Sequence, residues 1–312
     1  MYNNETNNQL RLTYYNPDPF WRIISTQTNL FTLYSTLNQP AKFKTLHFSL
    51  EHETTFKSYW STGLEAEYQP LGYDDYYEPR VWGEVFKVPM SYWFEWKISS
   101  DGRKRFQYFH DLTFGECPGL SYSEYSIGFY PRFRFSDRFS MTLSVQYTKA
   151  LNNYGWVNTD YSAEPEPVIY FGRRDISTFN NILSSQFIFS TKTSLSLRIR
   201  HYWSQAEYFE YYTLNNDGYL DPSNYWQNNN INFNAFTVDL QFVWYFAPGS
   251  ELSIVWKNNI NTSGNMIETD YFHNFSDMIS SPQTNSFSFR VLYYLDYLYI
   301  KKVFTKKENI KN

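Results

Sequence analysis

The chain has 312 residues, a net charge of −4 and a mean hydropathy of −0.58, yet 22% of it is aromatic, with 30 Tyr, 28 Phe and 10 Trp. Scattered Lys and Arg exclude a basic nucleic-acid-binding stripe, the single Cys117 excludes an internal disulfide and lacks the partners of a zinc site, and no run approaches the roughly 20 apolar residues of a spanning helix. So much Tyr and Trp in a polar chain fits long membrane–water boundaries, where amphipathic rings settle, and the absence of a Pro/Gly/Ser-rich linker fits one large β domain.

The first residues, MYNNETNNQLRLTYY, carry neither the basic start nor the apolar run of an export signal, so an exported protein of this kind is expected to be represented here by a mature or truncated chain. Residues 10–15 predict a strand, closed by the turn NPDP, whose prolines cannot donate to a ladder. Residues 20–35 follow, alternating best at Leu30, Thr32 and Tyr34. Residues 43–52 set Leu46, Phe48 and Leu50 against His47, Ser49 and Glu51. Residues 56–68 set Trp60, Leu64, Ala66 and Tyr68 against Ser61, Gly63, Glu65 and Glu67, and the tight connection makes the two a hairpin.

Four further hairpins pair 91–99 with 105–114, 122–135 with 139–149, 178–189 with 194–207 and 233–246 with 251–261. The clearest stretch is 139–149, where Phe139, Met141, Leu143, Val145 and Tyr147 alternate with Ser140, Thr142, Ser144, Gln146 and Thr148. That period of two sends apolar side chains to one face and small polar ones to the other. Residues 285–302 form the last predicted strand.

Short turns alternate strictly with long loops at 69–90, 115–121, 150–177, 208–232 and 262–284. Outer-membrane barrels write this alternation into their sequences, with short periplasmic turns and long outer loops. The predicted strands run well beyond the average of about five or six residues and suit the roughly nine to eleven that a tilted membrane strand needs. The expected fold is therefore all-β: an antiparallel transmembrane β-barrel of the outer-membrane type, with about 12–14 strands. Its span is residues 1–303, and a basic periplasmic tail follows at 304–312. About twelve strands start and end on the periplasmic side, and residues 10–15 raise the count to about thirteen, which implies preceding strands outside this chain.

The polar set of the strands includes Arg132, Arg134, Arg198 and Arg200, expected to line the lumen, with Glu65, Glu67, Glu95 and Asp239 as partners. The five histidines stand at no metal-ligand spacing. His201 shares the phase of Leu195, Leu197, Ile199 and Trp203, which places it on the lipid side beside Trp203 in the girdle, and Ser185 and Asn181 share that phase on the facing strand. A Ser-His-Asn set on the wall is the chemistry of a lipid hydrolase, although the hairpin register separates Ser185 from the pair of His201. The loop LNNDGYLDPSN reads as an Asp-Gly turn rather than a calcium loop, since the closing Glu is missing. Cys117 reads as an unpaired loop residue, and the carboxylates Asp74 and Asp75, or Glu164 and Glu166, as solvated loop pairs. The aromatic loops carry the best functional hint: Tyr76, Trp82, Tyr154, Trp156, Tyr212 and Trp226 offer flat rings for stacking on a sugar, against the alternative of a girdle and loop packing.

Three stretches, YFGRRDISTFNNILSSQFIFSTKTSLSLRIRHYWSQAEY from Tyr170, FNAFTVDLQFVWYFAPGSELSIVWKNNI from Phe233 and NSFSFRVLYYLDYLYIKK from Asn285, resemble the C-terminal part of the Bacteroidetes proteins grouped as domain of unknown function 5916. EPRVWGEVFKVP from Glu78 and YPRFRFSDRFSMTLSVQY from Tyr130 fit the same pattern. The resemblance implies a large outer-membrane-type barrel that follows an N-terminal module similar to family-9 carbohydrate-binding domains, and it supplies no catalytic residues. The functional expectation is a non-enzymatic envelope protein linked to glycan binding or uptake. The alternative is an outer-membrane hydrolase, either a glycan hydrolase completed by an N-terminal part or a lipid hydrolase around His201. Outer-membrane lipid and an extracellular glycan are the expected partners, with no cofactor, metal or nucleic acid.

Overall fold

A computed structural model describes residues 4–162, 167–295 and 297. It is a single antiparallel sheet of 16 strands. Thirteen form a continuous path: β1 (Glu5–Asn16), β2 (Ile23–Asn38), β3 (Ala41–Phe56), β4 (Ser61–Gln69), β7 (Ser91–Ser99), β8 (Phe106–Cys117), β9 (Tyr122–Arg134), β10 (Phe139–Asp160), β11 (Val168–Ser190), β12 (Thr193–Leu214), β14 (Ile231–Ala247), β15 (Ser250–Gly264) and β16 (Thr284–Leu292). Three short strands, β5 (Tyr73–Asp75), β6 (Phe86–Val88) and β13 (Leu220–Pro222), hang from this path, and one α-helix, α1 (Tyr271–Ile279), lies between β15 and β16. Among the described residues the sheet is not closed, and β1 and β16 are its edges.

The period of two read from the sequence becomes two chemically distinct faces because the ladder keeps its register from strand to strand. Phe139 pairs with Phe187, then Leu195, Phe242, Ile254 and Phe289 in successive strands. At the other limit of this apolar band Tyr147 pairs with Phe179 and Trp203. One step beyond, the same face turns polar, with Lys149 opposite Ser177, Gln205 and Asn232. The band is nine residues deep on each strand from β8 to β15 along the path: 106–114, 125–133, 139–147, 179–187, 195–203, 236–244 and 252–260. No Asp, Glu, Lys or Arg occupies an apolar-face position within it.

The two ends of the sheet differ. At one end the connections are short, down to two residues at 191–192 and 248–249; at the other lie 70–90, 215–230 and 265–283. Two connections at this loop end are short as well, 39–40 and 118–121, so the expected strict alternation is broken there. The stretch 150–177 is largely strand rather than loop, since β10 runs to Asp160 and β11 starts at Val168, and the stretch 208–232 opens as strand, since β12 runs to Leu214. Backbone pairing continues past the apolar band, with a shift of register between Ala150 and Asn153 that lets β10 bend as it leaves it. The last strand stops at Leu292, short of the expected 302, and the tail at 304–312 lies outside the described residues, as do Glu164 and Glu166. Thirteen alternating strands begin β1 at the loop end and finish β16 at the short-turn end. The expectation that both ends share one side therefore holds only from β2 onward.

The largest buried apolar cluster sits at the loop end. Phe86, Val88, Cys117, Ile169 and Phe171 pack together there, and the connection 70–90 brings in the first two. Gly72 makes the turn possible: its φ is +65°, and a Cβ would stand 2.0 Å from the Val88 carbonyl oxygen. Cys117 is thus a buried strand-end residue rather than a loop residue, with its Sγ 3.6 Å from the Pro89 carbonyl oxygen and its thiol pKa pushed up by burial.

Candidate functional site

The connection 70–90 builds a concave feature at the loop end. β5 pairs with β3 at Tyr73 and Thr45, which swings Tyr76 onto the β2–β3 hairpin. The Tyr76 hydroxyl donates to the Phe43 carbonyl at 3.0 Å and lies 3.2 Å from Asp74 Oδ2. Burial, and next the Asp74 carboxylate, push its pKa far up, so it remains a neutral donor. Lys42 Nζ sits 6.0 Å from the centre of that ring. Tyr77 donates to Glu5 Oε1 at 2.9 Å, and Lys44 holds the same oxygen at 2.6 Å. Trp82 projects almost entirely into solvent, 95% exposed. Glu5, Lys42, Tyr76, Tyr77 and Trp82 line a cleft of about 370 Å³ with Leu37, Gln39 and Pro40, a size that suits a small ligand.

The six aromatics singled out from the sequence divide into three groups. Tyr76 and Trp82 line the cleft. Tyr154, Trp156 and Tyr212 pack on the buried cluster instead. The Arg80 guanidinium lies 4.0 Å from the Trp156 ring centre, the Trp156 amide donates to Glu78 Oε1 at 2.8 Å, and Tyr154 and Tyr212 meet edge to face at 5.5 Å. These rings brace the connection 70–90 against β10, β11 and β12. Trp226 is 72% exposed on the connection 215–230, set perpendicular to Tyr211. Sequence reasoning missed Lys42 and Glu5, because only the fold brings residues from β1 and β3 beside a loop.

The four arginines all stand on the polar face. Arg200 bonds Thr237 Oγ1 at 3.1 Å and Asp239 Oδ2 at 3.4 Å, Arg198 pairs in register with Asp239, and Arg132 and Arg134 pair with Thr142 and Ser140. On the same face, Lys97 bridges Glu95 at 2.7 Å and Glu65 at 3.3 Å beside a hollow of about 400 Å³.

His201 does share the apolar face with Trp203, but it is buried under α1 rather than exposed in a girdle. Its Nδ1 is hydrogen-bonded to the Tyr271 hydroxyl at 3.0 Å, and its Nε2 lies 3.4 Å from Asn234 Oδ1. Asn181 donates to the same Tyr271 oxygen at 3.0 Å. Ser185 pairs with Leu197, four positions along β12 from His201, so the Ser-His-Asn set is not assembled. Asn215 Oδ1 accepts from the amides of Asp217 and Tyr219 and its Nδ2 donates to Asp221, so this loop satisfies its own polar groups as a turn. Among the described residues no group of three metal-ligating side chains converges.

An open antiparallel sheet with an uncharged apolar band on one face, a polar opposite face and an aromatic cleft at its loop end defines the class of protein. More particularly, the chain belongs to the family described as domain of unknown function DUF5916, whose model matches residues 1–304. No curated protein matches the chain.

Proposed function

We propose that this sheet is the wall of an outer-membrane β-barrel, with its apolar face toward lipid, its polar face toward a lumen and its loop end outside, and that the Tyr76–Trp82 cleft binds a glycan there. The carrying observation is the nine-residue uncharged band that keeps to one face of the sheet across the strands, its limits stepping by two residues between β12 and β14. Nine residues suit the depth of a bilayer core crossed by tilted strands. Large side chains on this face stand in the open, among them Leu12, Leu50, Ile127, Phe287 and Phe289. An exposed apolar surface this continuous calls for a partner, and on every strand at one depth that partner is lipid. Because β1 and β16 run in the same direction, joining these two edges does not complete a fully antiparallel wall.

The glycan reading rests on the cleft's chemistry. A freely exposed indole and a fixed tyrosine ring give flat apolar faces, and Lys42, Gln39 and Glu5 give hydrogen-bonding groups around them. Two experiments test the two halves. Unboiled protein in detergent is expected to migrate faster on a gel than boiled protein; a species that stays soluble without detergent and shows no heat-dependent shift refutes the barrel. Affinity electrophoresis in gels with soluble xylan or maltodextrin is expected to retard the folded protein, and Trp82→Ala is expected to abolish the retardation. Equal migration of the two proteins in every polysaccharide removes the glycan assignment and leaves the barrel standing.

A further inference from the structure

The apolar face carries polar side chains at one depth near the loop end, where Asn181 pairs with His201 and Asn234 lies one step beyond. The connection 265–283 folds back over that patch. Its α1 begins at Asp270, whose carboxylate caps the amides of Phe272 and His273. The Asn234 and Asn274 amides bond each other in both directions, at 3.0 and 2.8 Å, and Tyr271 joins His201 to Asn181. Before the helix, the Glu268 amide is held by Gln205 at 2.9 Å, and after it Gln283 accepts from Asn258 at 2.6 Å.

These contacts fix how the helix is rolled. β14 starts from the loop end at Ile231, so Asn234 lies nearer that end than Phe236. Asn274 meets Asn234, whereas Phe275 stands 6.0 Å from Phe236 and 5.1 Å from His201. At about 100° per residue, the flank beyond Asn274 carries Asp277 and His273 and faces the loop end. The flank beyond Phe275 carries Ile279 and Phe272 and faces the apolar band. Phe272 is 80% exposed and Ile279 41%, with no protein covering them on that side.

We infer that α1 is an interfacial helix. It lies across β11, β12, β14 and β15 at the outer boundary of the bilayer, with Phe272 and Ile279 in the acyl region and His273 and Asp277 at the headgroups. This inference rests on the barrel reading. The partner follows from continuity: the apolar flank of α1 adjoins the band proposed to meet lipid, its polar flank points away from it, and a helix with this division settles about 5–10 Å into the headgroup–acyl boundary. In this position α1 also covers three polar side chains, Asn181, His201 and Asn234, and takes up hydrogen-bonding atoms that the hydrocarbon would leave without a partner.

The test uses the full chain with Cys117→Ala, reconstituted in phosphatidylcholine vesicles, and a single fluorophore attached through Phe272→Cys, Asp277→Cys, Phe287→Cys or Trp82→Cys. Phe272 and Asp277 are exposed, so neither label disturbs the packed side of the helix. The expected result is loss of aqueous iodide quenching at 272 with strong quenching by lipids spin-labelled near the headgroup, while 277 and 82 stay open to iodide and 287 is quenched by lipids labelled deeper in the chain. Iodide access at 272 equal to that at 82, with 287 still quenched by lipid, overturns the interfacial helix and leaves the barrel intact. Iodide access at 287 overturns the barrel and the interfacial helix together. Ile279→Cys reports on the same flank and decides the question if the 272 variant fails to fold.

Discussion

Polar side chains interrupt the sheet on both faces, and the two patches are built from different chemistry. On the polar face Lys97 lies between Glu95 and Glu65, and Arg200 and Lys257 share Asp239, all of them partly open to solvent. On the apolar face the patch of His201, Asn181 and Asn234 is uncharged, and its hydrogen bonds close on α1. Elsewhere on that face the rule holds at smaller scale: His52 bonds Thr28 and Thr54, and Trp96 donates to Thr62. Net charge is tolerated where water can reach it, whereas a polar group facing hydrocarbon must be neutral and paired.

Adjacent residues of β10 give the most severe test of that difference. Leu143 and Ser144 point to opposite faces in mid-band. In bilayer-folded protein, Leu143→Arg is expected to lose about 2–4 kcal/mol by urea titration, the cost of a cation near the membrane midplane. Ser144→Arg is expected to stay within about 0.5 kcal/mol of the parent, as on an ordinary solvated surface. Equal losses for both variants break the assignment of faces.

A smaller effect probes the sealed patch. Tyr271→Phe removes one hydroxyl and leaves His201 Nδ1 and Asn181 Nδ2 each short of a partner. The expected cost is about 1–3 kcal/mol, set by the unsatisfied groups, together with faster proteolysis within 265–283. If stability and cleavage are both unchanged, α1 is not what satisfies the wall.

Much of this architecture was legible in the sequence, for one reason: a strand's period of two survives wherever each face meets a uniform medium. All four of the hairpins predicted from residue 91 onward, at 91–114, 122–149, 178–207 and 233–261, are real pairs. Reading failed where the medium changes along a strand. Past Lys149 and Gln205 both faces meet protein and polar groups, so β10–β12 continue without the alternation that announced them and look like loops. The helix escaped for a related reason: YFHNFSDMI divides its faces among a wall, a lipid-like flank and a polar flank, which blurs a simple apolar stripe. Of the proposed ligand aromatics, Tyr76 and Trp82 come together, while Tyr154, Trp156 and Tyr212 brace the fold, a distinction that requires knowing which strands outlast the rim.

The polar-face patch should respond weakly. Glu95→Gln leaves Lys97 with Glu65, and a partly exposed pair of this kind is worth about 0–1 kcal/mol and fades with salt. A loss well above that range, insensitive to ionic strength, would mean that water does not reach this face.

The mildest test concerns the polar flank of α1. His273 Nδ1 lies 2.7 Å from Glu268 Oε2, and this hydrogen bond, followed by the Asp277 charge, raises the imidazole pKa. A raised folded-state pKa favours the protonated ring, so its contribution is complete below the unfolded value and disappears as pH rises through the folded one. Glu268 behaves oppositely: the Asp270 amide, then His273, lowers its carboxyl pKa, so its contribution is lost as pH falls through that depressed value. Protection of the α1 amides from hydrogen exchange, corrected for intrinsic rate, is therefore expected to be greatest between the two titrations. It should decline on the alkaline side in the parent but not in His273→Asn, where no proton is lost. A decline of the same size in both proteins would assign the pH response to the buried side of the helix and remove His273 from the solvent-facing edge that distinguishes this patch from the sealed one beneath it.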